Sequence, residues 1–157
     1  MRLFAATALG MALAAAPAFA DEHASGDAQA GEKVFNKCKA CHVITDADGE
    51  TIVKGGRTGP NLYGIYNRTA GSVEDFRYGD SLVEAGENGL EWNEEEFAGY
   101  VADPKGFLAE YNDDTRARSK MSFKLRDDEE AKNVWAYLVS VGPEVEMDEE
   151  EETGSDS

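Results

Sequence analysis

Cys38-Lys39-Ala40-Cys41-His42 is the stretch from which the rest of the chain is read. Thiols three residues apart lie on one face of a helical turn, so both can add to the vinyl groups of a single haem, and the histidine that follows reaches the iron. Two other chemistries compete for such a pair. A structural zinc site wants four ligands, and this chain holds two cysteines and two histidines, His23 and His42, the histidines far apart in sequence. Thiol-disulfide exchange through Cys38 and Cys41 stays open, but its sites sit at a helix start after a buried strand. Here helical periodicity puts the motif at a helix end. C-x-x-C-H therefore reads as one haem c, covalently held by Cys38 and Cys41, with His42 as its proximal ligand.

Working outward, Asp27 is placed to cap a helix from Ala28 to about Lys39, with Val34, Phe35 and Cys38 on one face and Gly31 marking a close crossing. Val43 to Tyr78 is rich in Gly and Thr and reads as loops. Within it, Asp46-Ala47-Asp48-Gly49 opens like a calcium loop but lacks the further ligands, so a hairpin turn is expected. A short helix is expected near Ser81 to Ala85. Asn93 and Glu96 form a capping pattern for a two-turn helix carrying Phe97, Tyr100 and Val101, stopped by Pro104. Asp127 and Asp128 open the clearest helix, with Ala131, Val134, Trp135, Leu138 and Val141 on one face. The fold class is mostly α, with short helices and long loops. Such elements make a poor core by themselves, so a group other than protein completes it.

The 157 residues, 41% hydrophobic and 30% charged, suit one soluble domain. With 15 Lys+Arg against 32 Asp+Glu, the formal charge of -17 excludes a general affinity for nucleic acid or anionic lipid. Arg2 precedes an apolar run from Leu3 to Ala16, then Pro17 and Ala18-Phe19-Ala20, the pattern of a cleaved secretory signal peptide over 1-20. An uncleaved anchor is the alternative, and typically needs ~20 apolar residues. Residues 143-157 hold eight acids, no base and only Val145 and Met147 as apolar side chains, so an acidic disordered tail is expected. The domain is then 21-142, and the protein works in the periplasm.

The sixth iron ligand is approached by elimination. Met1 and Met11 leave with the leader and Met147 sits in the tail, which leaves Met121. Met/His ligation is the recurrent arrangement around haem held this way. His23 is the alternative ligand, though it lies in a polar N-terminus expected to be frayed and solvated.

Six segments then occur in a familiar order: Gly31-Glu32-Lys33-Val34-Phe35, the haem motif, Thr58-Gly59-Pro60-Asn61-Leu62-Tyr63-Gly64, Trp92, Asp103-Pro104-Lys105, and Lys120-Met121-Ser122-Phe123-Lys124-Leu125. Over Gly26 to about Gly142 the chain resembles a class I bacterial cytochrome c of the c2 or c550 type. The resemblance implies helices wrapped around one haem, with Gly31 and Phe35 meeting Val134 and Tyr137 where the terminal helices cross. It implies that the Pro60 carbonyl accepts the second ring N-H of His42, fixing its tautomer. Tyr100 matches a tyrosine whose hydroxyl approaches the methionine sulfur, and Arg68, Tyr78 and Trp92 match groups that hydrogen-bond the buried propionates. Extra residues in Val43 to Gly56 and a long loop from Pro104 to Met121 suit the bacterial type.

The function implied is a single-electron carrier, not an enzyme, because iron held by protein on both sides has no open place for substrate. The resemblance supplies a bc1-type complex as donor, and a cytochrome oxidase, a photosynthetic reaction centre or nitrite and nitrous oxide reductases as acceptors. Thr115 to Arg126 holds Arg116, Arg118, Lys120, Lys124 and Arg126 with no acid, and Lys33, Lys37 and Lys39 flank the haem motif. These cations form an expected docking ring for acidic partners on a monomer. The rivals are a five-coordinate haem enzyme or gas-binding cytochrome, and a thiol oxidoreductase.

Overall fold

The computed structural model describes residues 23-145; the expected leader and all but the first residues of the tail lie outside them. Elements run α1 Ala28-Phe35, β1 Ile44-Thr45, β2 Thr51-Val53, α2 Asp80-Glu87, α3 Glu94-Ala102, α4 Pro104-Tyr111 and α5 Asp128-Ser140. Capping fixes four of the five helix starts. Asp27, Asn93, Asp103 and Asp127 each accept a hydrogen bond from the backbone N-H three residues on. Acids fill the first turns of α3 and α5, where the helix dipole favours negative charge.

The frame is the crossing of α1 over α5. A Cβ on Gly31 would lie 1.8 Å from the Asn133 carbonyl oxygen and 2.9 Å from the Tyr137 Cβ, so only a glycine lets the two backbones touch. Beside it Phe35 and Tyr137 pack with ring centroids 5.6 Å apart, and the Asp27 N-H donates to Asn133 Oδ1 at 2.7 Å. On the inner face of α5, Trp135 is fully buried. Its ring packs against Phe97 of α3 at 5.4 Å and Tyr66 at 6.3 Å.

Three expectations need correction. The first helix stops at Phe35 rather than Lys39, and the chain tightens into turns in which the Cys41 and His42 N-H groups both donate to the Cys38 carbonyl at 3.1 Å. The segment after Pro104 is helical, not a loop: Pro104 ends α3 and, with Asp103 as cap, occupies the first turn of α4. Nor is His23 frayed. Its Nδ1 lies 2.9 Å from the Tyr66 hydroxyl, and its carbonyl accepts the Trp135 indole N-H at 2.9 Å.

The hairpin forms as expected. β1 and β2 pair antiparallel, Ile44 with Val53 and Thr45 with Thr51, and Gly49 turns at φ +84°. Asp46 Oδ1 accepts from the Asp48 and Glu50 N-H groups, which makes its carboxylate a turn-former. At the other end of the described chain, Val145 lines a cavity of about 120 Å³ with Gly64, Tyr66 and Leu138. Both ends of the described chain thus arrive beside Tyr66.

Candidate haem-binding site

The haem motif is seated on glycines. A Cβ on Gly55 would lie 1.8 Å from the His42 carbonyl oxygen, and one on Gly56 would lie 2.2 Å from that of Ala40. The Gly56 and Gly59 N-H groups donate to the Lys39 and Cys41 carbonyls, both at 2.9 Å. Gly59 also forms the floor under the imidazole, since a Cβ there would fall 2.4 Å from Cε1 and 2.6 Å from Nδ1 of His42. The ring is thereby held in one plane.

His42 Nδ1 lies 2.9 Å from the Pro60 carbonyl oxygen. A carbonyl can only accept, so Nδ1 carries the proton and Nε2 keeps its lone pair for a metal. Burial lowers the His42 pKa and so favours the uncharged ring, and the Pro60 hydrogen bond, which partly offsets that shift, selects the tautomer protonated at Nδ1. The neighbouring Cys38 is pushed by burial up to about 11, eased by Lys37 and reinforced by Cys41. Thiol-disulfide catalysis needs the opposite shift, toward thiolate, so the Cys38 environment argues against that rival.

Asn61 fastens the T-G-P-N segment to the hairpin: its Nδ2 donates to the Thr45 carbonyl at 2.6 Å, and its Oδ1 accepts from the Thr45 N-H at 3.0 Å and the Tyr63 N-H at 3.1 Å. Arg68 stands over the same segment and donates to the carbonyls of Tyr63 at 2.9 Å and Asn61 at 3.2 Å. Burial lowers its pKa, while the nearby Tyr78 hydroxyl supports its charge. Tyr78 itself is raised by burial and pulled back by a backbone bond at Val73 and by Arg68. Trp92 and Tyr100 are buried and meet edge to face at 5.1 Å. Tyr100 continues to Phe107 of α4 at 5.8 Å, an aromatic wall whose last member lies on the helix that the sequence pattern missed.

Met121 is half-buried on a segment without helix or strand. Its N-H donates to Ser119 Oγ at 3.1 Å, Lys120 Nζ donates to the Arg77 carbonyl at 2.9 Å, and the Leu125 N-H donates to the Val101 carbonyl at 2.7 Å. Gly59, Asn61 and Ser119 were not singled out from the sequence; a Ser two residues before the Met was the only local signal for the last. His23 is packed on Tyr66 and Trp135 instead of joining these groups.

The expected ring of free cations is partly neutralised. Lys37 pairs with Glu130 at 2.7 Å, Lys124 with Asp103 at 2.7 Å and Arg116 with Asp114 at 3.4 Å. Among the described residues Lys33, Lys39 and Arg118 make no ion pair. The donor set fits haem c: two thiols one turn apart, an imidazole with Nε2 available, and a thioether on a fastened segment.

The sequence profile of the cytochrome c family matches residues 28-142. The chain is 57% identical to cytochrome c-551 of Roseobacter denitrificans over 87% of its own length and 93% of that protein's. It is 52% identical to cytochrome c2 of Cereibacter sphaeroides, over 83% of this chain and 89% of that one. Among solved structures, cytochrome c2 from Rhodobacter sphaeroides superposes with a TM-score of 0.74 at 50% identity, covering 77% of this chain and all of that one. Ferric cytochrome c-550 from Paracoccus versutus gives 0.72 at 48%, covering 76% of this chain and 100% of its own. The chain belongs to the cytochrome c family, as a class I bacterial cytochrome of the c2 type that carries haem c and transfers electrons rather than catalysing a reaction.

Proposed function

We propose that this cytochrome is an exported, periplasmic carrier that takes single electrons from a bc1-type complex and delivers them to an oxidase, a reaction centre or a denitrification reductase. His42 and Met121 would hold the iron of its haem. The observations that support this reading are an imidazole locked with Nε2 available, and Met121, the single methionine among the described residues, on a segment tied down on both flanks.

When bound, haem c supplies a one-electron iron couple whose potential a methionine ligand raises. The protein's part is to hold both ligands still, so that little moves when charge changes. Cys38 and Cys41 would hold the group covalently, the Pro60 carbonyl fixes the His42 tautomer, and Arg68, Tyr78 and Trp92 would hold its propionates. Trp92 and Tyr100 keep water from the buried side. Lys33, Lys39 and Arg118, three of the cations outside the ion pairs, with the half-exposed Phe123 at 39%, form the docking face for an acidic partner. Residues 1-20 act as a leader removed on export.

Met121→Ala tests the reading. The reduced variant is expected to bind carbon monoxide, the parent is expected to exclude it, and the variant's potential should fall. A gas-resistant spectrum in the variant would remove Met121 from the iron and with it the closed six-coordinate carrier.

A further inference from the structure

The segment before Met121 lacks regular structure, so its backbone polar groups need partners from outside a helix or ladder. One side chain supplies a partner to Met121 itself. Ser119 Oγ accepts the Met121 N-H at 3.1 Å, closing a tight turn over Lys120. The same oxygen lies 3.4 Å from the Tyr100 hydroxyl. A serine hydroxyl has one donor and two acceptor sites, so it can serve both neighbours at once. Tyr100 is 8% exposed, and its ring is clasped edge to face by Trp92 and Phe107. Ser119 therefore joins a buried aromatic cluster to the backbone that carries the thioether. The other anchors act elsewhere on the segment: the Arg118 N-H donates to Ser81 Oγ at 3.0 Å, and Lys120 Nζ reaches the Arg77 carbonyl.

We infer that Ser119 is a positioning residue for Met121, holding the thioether where it competes best for the iron. This rests on Met121 being the axial ligand. Without Oγ the Met121 N-H loses its partner, the turn over Lys120 opens, and an external ligand displaces the thioether more readily.

The test is an imidazole titration of the ferric holoprotein, followed by absorbance, with the reduction potential measured in parallel. Ser119→Ala is expected to bind imidazole about fivefold more tightly, the effect of losing one net hydrogen bond, and to shift the potential. Ser119→Thr keeps the hydroxyl and should restore both values. Ser81→Ala removes a neighbouring anchor without touching Met121 and should leave imidazole affinity unchanged. Met121→Ala should tighten binding far more, because nothing then competes. If Met121→Ala leaves the affinity unchanged, the axial assignment itself is wrong. If Met121→Ala tightens binding while Ser119→Ala does not, or if Ser81→Ala matches Ser119→Ala, the positioning role is overturned and the axial assignment stands.

Discussion

His42 is gripped from two directions, by a carbonyl in its ring plane and by a bare α-carbon against its face. Pro60 supplies the first at 2.9 Å and Gly59 the second, where a methyl would intrude to 2.4 Å of Cε1. Gly59→Ala is therefore expected to push the ring off the Pro60 carbonyl. We expect a loss of about 1-3 kcal/mol in thermal unfolding, the usual range for overpacking, together with a lower reduction potential as the ligand weakens. An unchanged potential would show that the ring has room to shift. The thiols make a second prediction at this scale: as thioethers, Cys38 and Cys41 should resist alkylation, and acid-acetone should fail to extract the haem. Cys38, Cys41 and His42 were legible in the sequence because they form one contiguous motif whose spacing is the chemistry, whereas Pro60 came only from the family resemblance of the T-G-P-N segment. Gly59, Asn61 and Ser119 were not legible, because their roles depend on what a distant segment brings to them. Asn61 bridges to Thr45 across 16 positions, and Ser119 faces Tyr100 across 19.

Among the elements, α1 and α5 were readable in part: Phe35 on α1 and Ala131, Val134, Trp135 and Leu138 on α5 are buried as expected, whereas Val34 is only partly buried, Cys38 and Val141 lie beyond their helices, and the resemblance supplied the partners of the Gly31 crossing. Gly31→Ala should be the more damaging of the two glycine substitutions, because the obstacle is the Asn133 carbonyl at 1.8 Å rather than a side chain that can swing. We expect at least about 3 kcal/mol, the upper end of overpacking, measured by denaturant unfolding. The missed α4 has a different lesson. Pro104 forbids continuation of the preceding helix and is also a favoured first residue of the next one, and only its pairing with the Asp103 cap distinguishes the two roles. Asp103 also receives Lys124 at 2.7 Å. The Lys124 bond, then the Gly106 N-H, hold its carboxyl below the usual carboxylate range. A depressed acid contributes stability that is complete above its unfolded value of about 3.9 and disappears as pH falls through the folded one. Asp103→Ala should thus lower the melting temperature more at neutral pH than in acid below that window, where the Lys124 ion pair is lost in the parent too and only the cap of α4 still separates the two proteins. An equal deficit at both pH values would mean that the cap, not the charge, carries the stability.

For the whole molecule, 32 acids against 15 bases oppose an acidic partner, yet exposed Arg118, which makes no ion pair among the described residues, sits on the segment that carries Met121. At physiological salt the screening length is only ~8 Å, so nearby cations outweigh distant acids. Arg118→Glu should slow reduction by an acidic partner severalfold, through the association rate, and flatten its salt dependence. Lys120 is a poorer probe because its ammonium ties the segment to Arg77. Removing 146-157, with its run of acids, should change the rate far less than Arg118→Glu. If the truncated chain instead gains more speed than the reversal loses, the global field controls docking. The clustering of bases was visible in the sequence, but their partial neutralisation was not. Lys37 and Lys124 meet Glu130 and Asp103 only because the fold returns α5 and the α3-α4 corner to them.

The arrival of both described ends beside Tyr66 gives the chain a nearly closed course. His23 bonds the Tyr66 hydroxyl, and Val145 shares a cavity with the same ring. A linker from Val145 to His23 would complete the loop, and the hairpin tip at Gly49, where an added Cβ meets nothing within 4 Å, offers a place to reopen it. In that circular permutant the haem motif would emerge from the ribosome last instead of first, and the order of attachment and folding would become an experimental variable.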